Sequence, residues 1–112
     1  MSLPDKIRKS RESSVIVGDV TFTIRRATTE EMYTYYAKDL SFAEICRRHV
    51  TGWSGVKESD LLDGGKKEIV DFSKEVFDEV IGDRQDWWKE ISNKVLEDAQ
   101  NRITAKAENE KN

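Results

Sequence analysis

The feature that most constrains the fold is a change in the spacing of apolar residues near residue 27. Residues 15–24 are rich in β-branched side chains, and in their second half every other residue is apolar, as in a half-buried strand. Gly18 and Asp19 divide this segment and are typical of a two-residue hairpin turn with glycine first. After residue 27 the apolar residues recur at every third or fourth position, which is the helical period. The sequence therefore predicts an N-terminal β-hairpin followed by helices.

Two capping boxes mark where the first two helices begin. Thr28 with Glu31, and Ser41 with Glu44, have the spacing at which a hydroxyl and a carboxylate each satisfy a free backbone amide. The first box predicts a helix that ends near Asp39 or Leu40. The second predicts a helix with one apolar stripe. The members of this stripe that we expect to be buried against the fourth helix are Phe42, Ile45, Val50 and Trp53.

A third and a fourth helix are predicted in the second half of the chain. Ser73 is in position to cap the third, with Phe72 and Phe77 at the spacing of a hydrophobic staple. Gly82 ends it, and Asp83 is predicted to cap the fourth. The apolar stripe of the fourth helix is predicted to contain Trp88, Ile91, Val95, Ala99 and Ile103.

The predicted fold class is α+β, mainly α, with the N-terminal hairpin packed on three to four helices. A chain of 112 residues is long enough for one modest core, so we predict a single small domain over residues 14–104. Residues 1–13 and 105–112 are charged and offer little to bury. They are predicted to be flexible ends.

Charge is distributed unevenly along the chain. Residues 1–27 carry six basic and three acidic side chains, whereas residues 57–86 carry ten acidic and five basic ones. Opposite charge on two parts of one small protein favours head-to-tail self-association. The alternative is ordinary solvated surface.

No pattern of catalytic or ligand-binding residues is present in the sequence. Cys46 and His49 share one predicted helix face, but a nucleophile pair also needs an orienting group, and a structural zinc needs about four ligands. We therefore predict a protein that is not an enzyme, with no catalytic residue, no cofactor and no metal, and with both side chains packed in or near the core. A single cysteine indicates a reducing compartment.

The expected location is the cytoplasm. No run approaches the roughly 18 apolar residues of a membrane span. A pI near 5.3 disfavours a dedicated nucleic-acid-binding protein, although Arg25 with Arg26 and Arg47 with Arg48 are paired basic residues.

Adjacent tryptophans at positions 87 and 88 are the clearest candidates for a protein interface. Neighbouring residues on a helix point about 100° apart, so one indole is expected in the core and the other at a rim or interface. The alternative is that both pack inside a broad apolar face. The predicted interface residues are Trp87, Trp88, Tyr33 and Tyr35.

The segment from Gly52 to Phe77 contains a Trp-x-Gly-Val turn, an Asp/Gly-rich loop, a Val-x-Phe-Ser step and a helix that begins with Glu and a large apolar residue. In this order of motifs the segment resembles the tail assembly chaperones of long-tailed bacteriophages and prophages. The residues of this motif, which we expect to be structural, are Trp53, Gly55, Val56, Phe72, Ser73 and Phe77.

The resemblance implies a mainly helical protein that binds the tape measure protein during tail assembly and is absent from the finished virion. It also implies a bacterial cytoplasm and a tendency to form multimers. Two other interpretations stay open. One is a small regulatory or nucleic-acid-associated protein of a mobile element, and the other is a minor virion component such as a head–tail connector.

Overall fold

An antiparallel sheet packed against a long C-terminal helix forms the centre of the molecule. The structure is a computed structural model that describes residues 1–111, with side chains through residue 108. The strands have the order β1-β2-β3. The described elements, in chain order, are α1 (Leu3–Lys9), β1 (Glu12–Val17), β2 (Val20–Arg25), α2 (Thr29–Lys38), α3 (Phe42–His49), β3 (Val50–Ser54), α4 (Glu58–Leu61), α5 (Lys74–Val80), a 3-10 turn (Ile81–Asp83) and α6 (Gln85–Lys111). The predicted α+β, mainly α fold class is confirmed.

The N-terminal hairpin is also confirmed. Val17 pairs with Val20 across the two-residue turn. Gly18 has a φ of 61°, and among the described non-glycine residues only Asp39 has a positive φ. Asp19 therefore has a negative φ. A positive φ followed by a negative φ is typical of the two-residue turn with glycine in its first central position.

The helix predicted to continue to Trp53 ends instead at His49, and residues Val50–Ser54 form strand β3. This strand pairs antiparallel with β2, with Trp53 opposite Phe22. The physical reason is a tertiary contact: these residues form backbone hydrogen bonds with the open edge of β2. Little helical stability is lost in exchange, because two β-branched residues followed by Gly52 have low helix propensity.

The prediction that the four residues of this stripe are buried against the fourth helix is wrong for two of them. Phe42 is 49% exposed. Trp53 is half-buried and packs on the rings of Phe72 and Phe77, at centroid distances of 5.1 and 6.3 Å, rather than on α6. Ile45 and Val50 are buried, as expected.

The start of α5 agrees with its predicted cap. The hydroxyl of Ser73 accepts a hydrogen bond from the amide of Val76 at 3.3 Å. The rings of Phe72 and Phe77 lie 6.3 Å apart in the staple arrangement. The fourth predicted helix, α6, begins at Gln85, because the 3-10 turn Ile81–Asp83 occupies the positions where an Asp83 cap was expected.

The core is centred on Phe22 of β2. Its ring lies 5.0 Å from that of Trp87 and 6.3 Å from that of Phe77, both in edge-on arrangements. Strand β2, with α5 and α6, thus supplies the largest buried side chains.

Both ends of the chain contain helix where the sequence predicts flexible segments. Ser2 caps α1, and its hydroxyl accepts from the amide of Asp5. The α1 side chains are all exposed, so local capping rather than core burial stabilises this helix. At the other end α6 extends to Lys111.

Candidate protein-binding groove

The structure separates the four predicted interface residues into two classes. Trp87 is 1% exposed and Tyr35 is 4% exposed, so these two belong to the core and are removed from the predicted interface. Tyr33 is 63% exposed, and Trp88 is half-buried at the surface. Tyr33 and Trp88 therefore remain accessible to a partner.

Because the two tryptophans are adjacent on α6, their side chains point in different directions. Trp87 faces the sheet, with Phe22 on one side and the guanidinium of Arg84 3.9 Å from its ring centroid. Trp88 turns toward α3 and stacks on Phe42, with ring centroids 5.8 Å apart and planes inclined by 29°. The stacked pair presents one continuous aromatic surface.

Tyr35 is buried because its hydroxyl has polar partners. The hydroxyl lies 2.7 Å from Nε2 of His49 and 3.1 Å from Oε2 of Glu31. Both oxygens of Glu31 also accept from Arg25, at 2.9 and 3.1 Å. Burial of a phenol is tolerated where such hydrogen bonds replace those made with water.

His49 and Cys46 do not form a nucleophile pair. His49 directs Nδ1 to the carbonyl oxygen of Arg25 at 2.6 Å and Nε2 to Tyr35, and burial lowers its pKa. The thiol of Cys46 faces the carbonyl of Trp88 at 3.5 Å, and burial raises the pKa of this thiol to about 12. The histidine thus joins α2, α3 and β2, and the cysteine acts as a small buried apolar group.

Two surface cavities lie along α2, each with side chains of α6 in its lining, and we call the two together the α2–α6 groove. Its aromatic end has a volume of about 400 Å³ and includes Tyr36, which is 62% exposed. Asp39 ends α2 in the left-handed conformation, with a φ of 49°, and this turn places Phe42 beside the end of α2. The apolar and aromatic side chains that line this end are Tyr35, Tyr36, Leu40, Phe42, Ile45 and Leu96.

The other end of the groove has a volume of about 450 Å³ and combines apolar with basic groups. Tyr33 lies on its α2 wall, and Ile103 lies on its α6 wall between Arg102 and Lys106. Met32 of α2 and Ala99 of α6, on the same two helices, are buried in the core. In other proteins, apolar grooves bind amphipathic helices in the helix-in-groove mode.

Sequence reasoning did not include Tyr36, Phe42 or Leu96 in the interface. A signal for Tyr36 was present, because it follows Tyr33 by three residues and both therefore share one helix face. Phe42 was assigned to the core, since its spacing matches that of the buried residues of α3.

The residues that carry the family resemblance lie together at one corner of the molecule. The indole of Trp53 donates to the carbonyl of Val70 at 2.8 Å, and the amide of Val70 donates to the carbonyl of Val56 at 2.8 Å. Gly55 has a φ of 81°, and a Cβ at this position would lie 2.5 Å from the carbonyl oxygen of Asp19. This corner joins β3, the hairpin turn and the start of α5.

Comparison with known proteins gives no relative for this chain: no family model, no curated protein and no solved structure matches it significantly. Within the described residues, no group of three or more His, Cys, Asp or Glu side chains is placed to hold a metal ion. No helix in that part of the chain is long and apolar enough to cross a membrane.

Proposed function

We propose that this protein is a phage or prophage tail assembly chaperone that binds amphipathic helices of the tape measure protein in the α2–α6 groove. In this role it acts in the bacterial cytoplasm, without catalysis, and does not remain in the virion. The order of residues from Trp53 to Phe77 supports the family, and the groove supports the binding mode.

The observation that carries the proposal is the exposure of aromatic rings on α2 and at the start of α3, all of which line the α2–α6 groove. Tyr33 and Tyr36 are both more than 60% exposed on α2, and Phe42 with Trp88 extends the same surface. Large aromatic side chains left in water are costly unless a partner covers them, and they are enriched at protein interfaces. A partner helix with apolar residues at three- and four-residue spacing would bury these rings.

The proposal is tested by co-expression with the tape measure protein. The partner should stay in the soluble fraction when this protein is present and aggregate when it is absent. The variant Tyr33→Ser/Tyr36→Ser should weaken binding by tenfold or more, because loss of two interface anchors of about 1 kcal/mol or more each has that effect.

A matched control is Ile16→Ser/Ile69→Ser, which also removes two exposed apolar side chains but from sites outside the groove. The control should bind like the unaltered protein, and circular dichroism should show both double variants to be folded. Equal solubility of the partner with and without this protein would overturn the proposal.

A further inference from the structure

An arginine cluster adjoins the basic end of the α2–α6 groove. Of the eight arginines in the chain, all of them in the described residues, five take part in ion pairs. The other three are Arg11, Arg26 and Arg102, and all three line one cavity of about 310 Å³ between α1, the end of β2 and α6. The arginines without an ion pair are therefore grouped rather than scattered.

Asp98 lines a cavity with Arg26 and Arg102 and offsets the positive charge of this cluster only in part. Burial, together with the positive charges of Arg102 and Arg11, lowers the pKa of Arg26. Asp98 is the acid near Arg26, but its carboxylate is already bound by Lys94 at 3.0 Å and by the hydroxyl of Ser13 at 3.1 Å. Three cations held together in an acidic protein repel one another, and an anionic group placed among them would relieve this repulsion.

Arg102 connects the cluster to the groove. It lines the cluster cavity, the basic end of the groove and a third cavity of about 520 Å³ that also contains Lys106. A helix that occupies the groove between Phe42 and Tyr33 would therefore bring its end to Arg102.

We propose that Arg11, Arg26, Arg102 and Lys106 bind acidic side chains at one end of the partner helix, so that the helix enters the groove in one direction only. This inference rests on the proposed function. Carboxylates fit guanidinium groups through paired, charge-assisted hydrogen bonds. A nucleic acid fits less well, because the basic area is small and the chain carries a net charge of −3, which repels an extended polyanion.

The test uses two synthetic amphipathic peptides with the same apolar stripe. One carries three glutamates at its C-terminal end, and the other carries three lysines there. Fluorescence anisotropy should show that the glutamate peptide binds about tenfold more tightly at 0.05 M salt, and that the preference shrinks at about 0.3 M salt because the charges are screened.

Charge reversal in the protein supplies the second measurement. The variant Arg102→Glu/Lys106→Glu should lose or invert the preference between the peptides. The control variant Lys89→Glu/Lys67→Glu makes the same change in net charge at exposed sites outside the groove and should keep the preference.

Equal binding of the two peptides overturns this inference but leaves the proposed function standing. The absence of any peptide binding overturns both. A single-stranded oligonucleotide that binds more tightly than the glutamate peptide, and that loses binding in Arg102→Glu/Lys106→Glu, overturns the inference in favour of a nucleic-acid site.

Discussion

The indole N–H of Trp53 donates a hydrogen bond to the carbonyl of Val70, across 17 residues of sequence and at a distance of 2.8 Å. This bond attaches β3 to the segment that leads into α5, and the Trp53 ring adds contacts with Phe72 and Phe77. The motif from Trp53 to Phe77 thus has a structural role, since its first and last aromatic residues are in contact. We call the contacts of Trp53 with Val70, Phe72 and Phe77 the Trp53 clasp.

The first prediction concerns this clasp. Trp53→Ala should lower the free energy of unfolding by about 2–4 kcal/mol, because the half-buried ring loses packing as well as its hydrogen bond. Trp53→Phe should retain ring packing and cost about 1–2 kcal/mol. Urea denaturation measures both values, with the exposed Ile16→Ala as control. An unchanged midpoint in Trp53→Ala would show that the clasp contributes nothing.

A second prediction compares two glycines that share the left-handed conformation. Gly55 and Gly64 have φ values of 81° and 80°, but only the Cβ of an alanine at Gly55 would collide with backbone, at 2.5 Å from the Asp19 carbonyl oxygen. Gly64→Ala should cost about 1 kcal/mol for the unfavourable φ alone. Gly55→Ala should cost at least about 2–3 kcal/mol, because the turn must also shift. Thermal melts that give equal losses would contradict the close approach at Gly55.

The third prediction is a loss of stability in acid. Hydrogen bonds from Arg25 lower the pKa of Glu31 from 4.5 to about 2. A carboxylate with a lowered pKa stabilises the fold above pH 4.5, and this contribution disappears as the pH falls from 4.5 to about 2. Solvent at this partly exposed site reduces its size to about 1–2 kcal/mol.

Protonation of His49 also lowers the stability of the fold in acid, but at a higher pH than protonation of Glu31. Because burial lowers its pKa below 6.5, the unfolded chain takes up the proton first, and stability declines as the pH falls below 6.5. Denaturation of Glu31→Gln from pH 7 to 2 should show a smaller loss between pH 4.5 and 2 than the unaltered protein. The exposed neighbour variant Glu30→Gln should lose as much as the unaltered protein. Identical acid profiles for all three proteins would exclude the role of Glu31.

The fourth prediction is salt-sensitive self-association. The arginine cluster includes Arg102 in the C-terminal half of α6, whereas Asp86 lies in the first turn of this helix and Asp83 lies just before it. Light scattering should report association at 0.05 M salt that weakens by 0.5 M, because the screening length falls from about 10 Å at 0.1 M toward about 3 Å at 1 M. Arg102→Glu/Lys106→Glu should reduce association at low salt. A monomer at every salt and protein concentration would be the contrary result.

The sequence predicted those features that depend on neighbouring residues. The Gly18 turn and the Thr28–Glu31 box are local, and both occur as expected. Strand β3 was missed because its residues acquire their conformation from pairing with β2, about 30 residues earlier. Short apolar runs do not distinguish a strand from a helix by their spacing.

The candidate site shows the same division between local and distant causes. Tyr33 was predicted to lie at a protein interface, and it is exposed. Tyr35 was assigned to this surface as well, but His49, 14 residues away, supplies the partner that makes burial of its hydroxyl acceptable. A contact of this kind cannot be predicted from the local sequence.

Strand β3 has one more effect, on aggregation. It covers the edge of β2, whose residues Val20–Arg25 combine β-branched and aromatic side chains in a pattern typical of cross-β association. The hairpin pairs neighbouring residues, whereas β3 must close across α2 and α3, so we expect the β2 edge to be covered later in folding than the hairpin forms. A protein proposed to keep another chain soluble thus depends, for its own solubility, on five residues that cover this edge.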